Sequence, residues 1–295
     1  MNFITNLVSN ITGSSPQEPF PSSIPFTEDP CSTCEEPCTT HPQIPTYLAK
    51  KIEGGPLVGT MKPYKRHIMV LEGRSKDWQE RLESSDGMVK VVGGQVDQWA
   101  GKAGYRTIVT ACDPVVNVSV ENATKEQEQP TSQRVEKMAQ FFLFPELVSL
   151  ESVSAAEAPT LVQGLLVDNQ IPASFPSTPL PGRAWIFVCT HKKRDKRCGV
   201  AGPLLVDEFR KAVEEMGLVG EVFVYGCSHF GGHKYAGNII IYHRNPSMDG
   251  NWYGRVRSCH VRQILQTTVV EGKIFKELWR GAMDRSSEHS ERKDW

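Results

Sequence analysis

The chain has 295 residues, 39% hydrophobic and 23% charged, and a formal net charge of −1. No apolar run approaches the length of a membrane span, so a soluble protein of one or two domains is expected, with no membrane contact. The absence of a basic excess also makes nucleic acid an unexpected partner.

The charge is unevenly spread. Residues 1–49 hold no Lys or Arg and five acids, Glu18, Glu28, Asp29, Glu35 and Glu36. From Arg183 onward there are 19 Lys and Arg against 13 Asp and Glu, a net of +6. Mitochondrial transit segments are Arg-rich and poor in acids, whereas the first basic residue here is Lys50. A basic region followed by an apolar one, the mark of a secretory signal, is also missing. The expected address is therefore cytoplasmic, with a nuclear one left open. In those compartments the eight cysteines stay reduced and serve as metal ligands or buried thiols rather than disulfides. The Asn-x-Ser/Thr matches at Asn10, Asn117 and Asn122 would then carry no sugar.

Residues 1–30, rich in Ser and Pro, read as a flexible leader. Residues 31–154 read as a Cys-rich segment followed by an α/β domain. Its predicted elements are strands at His67–Leu71 and Arg106–Thr110 and a helical stretch from Ser132 into Leu143. Residues 155–182, with four prolines from Pro172 to Pro181, read as a linker. A second domain spans residues 183–281. Its apolar strand Ala184–Val188 precedes a helix predicted to open at Gly202-Pro203, with Leu205, Phe209, Val213 and Met216 on one face. Strands follow at Val222–Tyr225, Asn238–Tyr242 and Trp252–Val256, then an amphipathic helix from Val261 to Thr268. This order suits a thioredoxin-like α/β layer, and the first domain is open to being a degenerate copy of it. Residues 282–295 form a polar tail.

Two pairs of side chains carry the chemistry. Cys189 and Cys198 are spaced C-x8-C, and His229 and His233 are spaced H-x3-H. Each pair follows an apolar strand, so all four can converge at one sheet edge. Two thiolates and two imidazoles suit zinc or an iron cluster. The first pair is too wide for a zinc finger, and a wide loop accommodates a larger group more easily. Gly231-Gly232 between the histidines permits close backbone approach. Upstream, Cys31, Cys34, Cys38 and His41 are spaced C-x2-C-x3-C-x2-H. They read as a second metal site, a redox thiol pair or an exposed reduced leader. Cys112, Cys227 and Cys259 read as packing, and His67, His243 and His260 as structural. His191, in the loop between Cys189 and Cys198, reads as an exposed loop residue, with tuning of the metal group or docking of a partner as the alternatives.

Phe187-Val188-Cys189-Thr190-His191, Arg197-Cys198-Gly199 and His229-Phe230-Gly231-Gly232-His233-Lys234-Tyr235-Ala236-Gly237-Asn238 resemble the sucrase/ferredoxin-like family of fungi and plants. Trp252-Tyr253-Gly254-Arg255, Leu278-Trp279-Arg280-Gly281 and Lys62-Pro63-Tyr64-Lys65-Arg66-His67 extend the resemblance over about residues 30–281. The layout is also similar to thioredoxin-like 2Fe–2S ferredoxins with the second Cys pair changed to His. The resemblance implies a thioredoxin-like ferredoxin domain in which Cys189, Cys198, His229 and His233 hold a 2Fe–2S cluster, and an electron-transfer function. No pair of carboxylates identifies a glycosidase.

A cluster with two imidazoles carries less negative charge than one with four thiolates. His-ligated centres accordingly sit at about −150 to +300 mV, against about −400 mV for plant-type ferredoxins. The loop Lys192–Arg197 adds a net +4 and should favour the reduced state further. Imidazole can lose its second proton, so electron and proton transfer are expected to couple. No nicotinamide or flavin fingerprint is present, so electrons are expected from another protein, an acidic one if it docks on the basic loop. The terminal Lys293-Asp294-Trp295 resembles the signal of clients of the cytosolic iron–sulfur assembly machinery, which makes Trp295 a recognition residue. The rival readings are a structural zinc-binding interaction module using the basic loop, and a thiol oxidoreductase using Cys31 and Cys34.

Overall fold

The structure, a computed structural model, describes residues 24–28, 41–114 and 137–283. Strand β1 (Phe26–Thr27) and the short helix α1 (Thr46–Ala49) belong to an N-terminal strap. β2 (Arg66–Leu71) is buried along its whole length, so its apolar run shows no alternation. Helix α2 (Met88–Ala103) buries Met88, Val89, Val92 and Val96 at helical spacing and stops at Gly104, whose φ is 70°. β3 (Thr107–Cys112) lies parallel to β2. β4 (Met138–Phe144) and β5 (Val148–Ser154) then extend the sheet antiparallel on the other side of β2. Helix α3 (Ala158–Leu166) packs on α2, and β6 (Thr178–Pro179) pairs with β5.

The second half repeats this wiring. β7 (Ala184–Cys189), helix α4 (Lys196–Glu215) and β8 (Val222–Cys227) form a parallel unit. β9 (Ile239–His243) and β10 (Asn251–Tyr253) run antiparallel beyond β7. Helix α5 (Val261–Gln263) continues as a π-helix over Ile264–Val270. β11 (Ile274–Phe275) pairs with β1, and β12 (Trp279–Ala282) with β10. Each half thus has the thioredoxin-like order second–first–third–fourth strand. The two join in one ten-stranded mixed sheet, β12-β10-β9-β7-β8-β3-β2-β4-β5-β6.

The junction between β3 and β8 is a single register pair, Cys112 with Cys227. A few backbone hydrogen bonds there contribute about 0.5–1.5 kcal/mol each. An aromatic core shared by both halves contributes more, with Phe142 and Phe144 against Phe187, Tyr225 and Tyr242. The Phe144 and Tyr242 rings stack at 3.8 Å. Each such side chain contributes about 1.5–3 kcal/mol by burial, so the face rather than the strand edge holds the halves together.

Three sequence expectations need correction. The stretch expected as a helix into Leu143 is, within the described residues, strand β4, because Phe141–Phe144 are buried on both faces of the sheet and lose the period-2 signature. The expected linker at 155–182 contains α3, with Leu161, Val162 and Leu165 fully buried. Helix α4 starts at Lys196, well before Pro203, because Asp195 caps it. Among the described residues no helix is long and apolar enough to cross a membrane.

Candidate metal centre

β7 delivers Cys189 to the sheet edge, and its parallel neighbour β8 ends in register with it at Cys227. The loop carrying His229 and His233 therefore leaves from the same edge. Asp195 Oδ1 accepts from the Arg197 backbone N–H at 2.8 Å and starts α4 there, which puts Cys198 in the first helical turn. A thiolate at that position faces the positive end of the helix dipole. A Cβ on Gly202 would strike the Cys189 carbonyl, so only glycine lets α4 approach this closely.

One ligand atom each from Cys189, Cys198 and His229 lie within 4.8 Å of one another. Cys189 Sγ is 3.9 Å from His229 Nδ1. The His233 ring stands 5.2 Å from the His229 ring, centroid to centroid. His233 Nδ1 is buried without a hydrogen-bond partner, and Nε2 lies 4.0 Å from Asp195 Oδ2. A ring with one nitrogen toward a carboxylate and the other free has the arrangement of a metal-bound histidine.

The electrostatics agree. The hydrogen bond shared with Cys198 holds the Cys189 thiol well below its ordinary range, overcoming burial, with His229 adding to the effect. The same shared bond, followed by burial, pushes Cys198 up. Burial, then the neighbouring His229, pushes His233 down and keeps its ring neutral, the form that donates to a metal. Burial raises the Asp195 carboxyl, but hydrogen bonds from Arg197 more than offset this and leave it below its usual range.

Arg280 and His191 hold this site in place; sequence reasoning gave Arg280 no role there and favoured an exposed position for His191. Arg280 is almost wholly buried and donates to Thr60 Oγ1, Asn238 Oδ1 and the carbonyls of Gly231 and Thr60. Its guanidinium lies over the Tyr235 and Trp252 rings, at 5.4 Å from each. Burial pushes it down to about 10, so it remains cationic at neutral pH, and Tyr235, then the two thiols, act to raise it. None of these hydrogen-bond partners is a carboxylate. The signal in the sequence was Leu278-Trp279-Arg280-Gly281, an Arg in an otherwise apolar strand. His191 is buried rather than exposed. Its Nε2 faces the Gln79 carbonyl at 2.7 Å and its Nδ1 accepts from the His229 N–H at 3.3 Å, tying the loop to the first half.

The donor set fits a thiolate–imidazole metal group on three observations: a depressed Cys189 thiol beside a second buried thiol, an unpartnered buried His nitrogen and a buried cation lacking a carboxylate. Cys31, Cys34, Cys38 and Trp295 lie outside the described residues, while His41 Nδ1 lies 3.5 Å from Glu208 Oε2. Cys112 and Cys227 are fully buried, with thiols pushed up by burial. Lys192, Lys193, Arg194 and Lys196 are exposed, whereas Arg197 turns inward to Asp195 and the Lys51 carbonyl.

Actin patches distal protein 1 of Saccharomyces cerevisiae is 28% identical over 232 residues, 73% of this chain and 72% of that protein. Altered inheritance of mitochondria protein 32 of Debaryomyces hansenii is 46% identical over 100 residues, 34% of this chain and 36% of that protein, so the match spans about a third of that relative's length. A thioredoxin-like [2Fe-2S] ferredoxin from Aquifex aeolicus aligns at 17% identity and a TM-score of 0.29, over 33% of this chain and 90% of its own. The family model for sucrase/ferredoxin-like proteins matches residues 57–281, and the chain belongs to that family.

Proposed function

We propose that Cys189, Cys198, His229 and His233 hold a 2Fe–2S cluster and that the protein transfers electrons. The observation that supports this most directly is the convergence of two thiols and one imidazole within 4.8 Å beside a second imidazole with a free buried nitrogen. When bound, such a group supplies reversible one-electron transfer.

The chain's own residues do the rest. Asp195 orients His233 and caps α4. His191 fixes the start of the His229 loop, and Arg280 fixes its middle. Arg280 and the α4 N-terminus both favour added negative charge, so the centre belongs at the high-potential end of its class. The exposed face of Lys192, Lys193, Arg194 and Lys196 suits an acidic protein donor.

Anaerobic purification tests this reading. Iron and acid-labile sulfide in equal amounts, visible absorption and a reduced-state electron paramagnetic resonance signal are expected. Colourless protein carrying only zinc would overturn it in favour of a structural zinc module.

A further inference from the structure

A cleft of about 730 Å³ opens beside the proposed centre, between the His229-Phe230-Gly231 loop of the second half and α2 and β3 of the first. This volume falls within the roughly 300–1,000 Å³ range of small-molecule sites. Four features of its walls describe what it would hold.

The first is the floor. Gly93 and Gly94 line the cleft from the middle of α2, where glycine weakens a helix. A Cβ at either position would meet nothing within 4 Å. Packing does not require these glycines, and their effect is to leave open space in the cleft. The second is the open edge of β3. Its one register pair with β8 is at Cys112, so Thr107–Thr110 has no strand partner on that side among the described residues. Thr107 Oγ1 is buried there without a hydrogen-bond partner. Ring carbonyl and imide groups are the natural complement of such an edge. The third is an apolar wall of Val89, Val96, Ile108 and Phe230, suited to a flat ring. The fourth is charge. Arg81, Lys90, Arg106 and Arg194 outnumber Glu80, Glu83 and Asp97, and among the described residues no ion pair is seen between these two sets. Arg106 instead donates to the Lys62 carbonyl at 3.0 Å.

We propose that this cleft binds the small-molecule electron acceptor, a flat redox-active heteroaromatic ring with an acidic group, of the size of flavin mononucleotide. The proposal rests on the electron-transfer reading and gives the first half of the chain its role as the second wall of the site. Two one-electron oxidations of the donor protein, with two protons from water, convert one oxidised ring to its dihydro form.

Titration of the full-length protein with flavin mononucleotide, followed by quenching of flavin fluorescence, tests the site. Saturable binding at least tenfold tighter than that of riboflavin, which lacks the phosphate, is expected. Gly94→Leu should weaken binding at least tenfold, while iron and sulfide content, midpoint potential and thermal midpoint are not lowered. The double variant Arg106→Gln/Arg194→Gln should bring flavin mononucleotide down to the affinity of riboflavin, which keeps the test decisive should Gly94→Leu fail to fold. Absence of saturable binding to protein that carries its iron and sulfide, or wild-type binding by Gly94→Leu, would overturn the proposal and leave the cluster reading intact. Protein without iron and sulfide would overturn the cluster reading and this proposal with it.

Discussion

Arg280 donates from Nη1 to the Gly231 carbonyl at 3.1 Å, fastening β12 to the loop between His229 and His233. Removing the guanidinium strands the Gly231 and Thr60 carbonyls and the Asn238 amide oxygen. Arg280→Met should therefore cost about 3 kcal/mol or more in urea unfolding, with Arg280→Lys costing less. In assembled protein, Arg280→Met should also shift the midpoint potential negative, while Arg280→Lys, which keeps the charge, stays near wild type. A residue that only filled space would lower stability and leave the potential unmoved.

Ligand identity sets the charge of the centre, which gives a second prediction. His233→Cys replaces a neutral donor with a thiolate and adds one negative charge. The midpoint potential should fall on the order of 100 mV or more, toward the region of about −400 mV held by four-thiolate centres. Cys189→Ser removes the depressed thiol and should lower iron content below half. Redox titration and metal analysis read both outcomes, and a His233→Cys potential equal to wild type would remove His233 from the ligand set.

His67 gives a pH dependence that does not depend on the metal. Its ring is fully buried, with Nδ1 2.7 Å from the Tyr242 hydroxyl and Nε2 2.8 Å from the Thr110 hydroxyl. Burial, then the charge of Arg106, holds it well below its ordinary value of 6.5, and Tyr64 packs on it edge-on. The folded-state value is thus depressed below the unfolded one. The unfolded chain takes up a proton that the folded chain refuses, so stability is intact above pH 6.5 and declines as pH falls below it. The contribution of this one group between pH 6.5 and 5.5 is about 1 kcal/mol. Urea unfolding at the two pH values should show a decline smaller by that amount in His67→Gln than in wild type.

The second half was largely legible because its strands are short and apolar and follow closely on a glycine, as at Ala184–Cys189 after Gly182 and Ile239–His243 after Gly237. Cys189 ends β7, and Cys198, His229 and His233 follow soon after β7 and β8, so the strand pattern pointed to one edge. The first half was harder. α2 begins after Gly87 without a side-chain cap and carries Gly93-Gly94 in its middle, both of which weaken a helix signal. β4 presents four successive buried residues, a run that periodicity cannot assign to strand or helix. α3 lay unseen among prolines, because Pro159 stands near its start, where proline is tolerated. Asp195 was counted as a charge in a basic loop rather than as the helix cap that places Cys198. Arg280 and His191 act through backbone groups of distant segments, so even an Arg set in an apolar stretch does not show locally what it holds.

The two halves also offer the same substitution in opposite settings. In α4, a methyl on Gly202 would collide with the Cys189 carbonyl and the Thr190 backbone, which cannot yield without moving the Cys189 loop. In α2, a methyl on Gly93 meets nothing within 4 Å. Helix propensity favours alanine at both positions by about 0.5–1 kcal/mol. At Gly93 that gain stands alone, so Gly93→Ala should stabilise the protein by roughly that amount and leave its iron content unchanged. At Gly202 overpacking of about 1–3 kcal/mol opposes it. Gly202→Ala should be less stable than wild type and should lose iron faster to a chelator, because Cys198 moves away from Cys189. Chemical unfolding and chelation kinetics on the pair separate the two settings. Equal retention of iron in both variants would show that the approach of α4 to Cys189 does not hold the centre together.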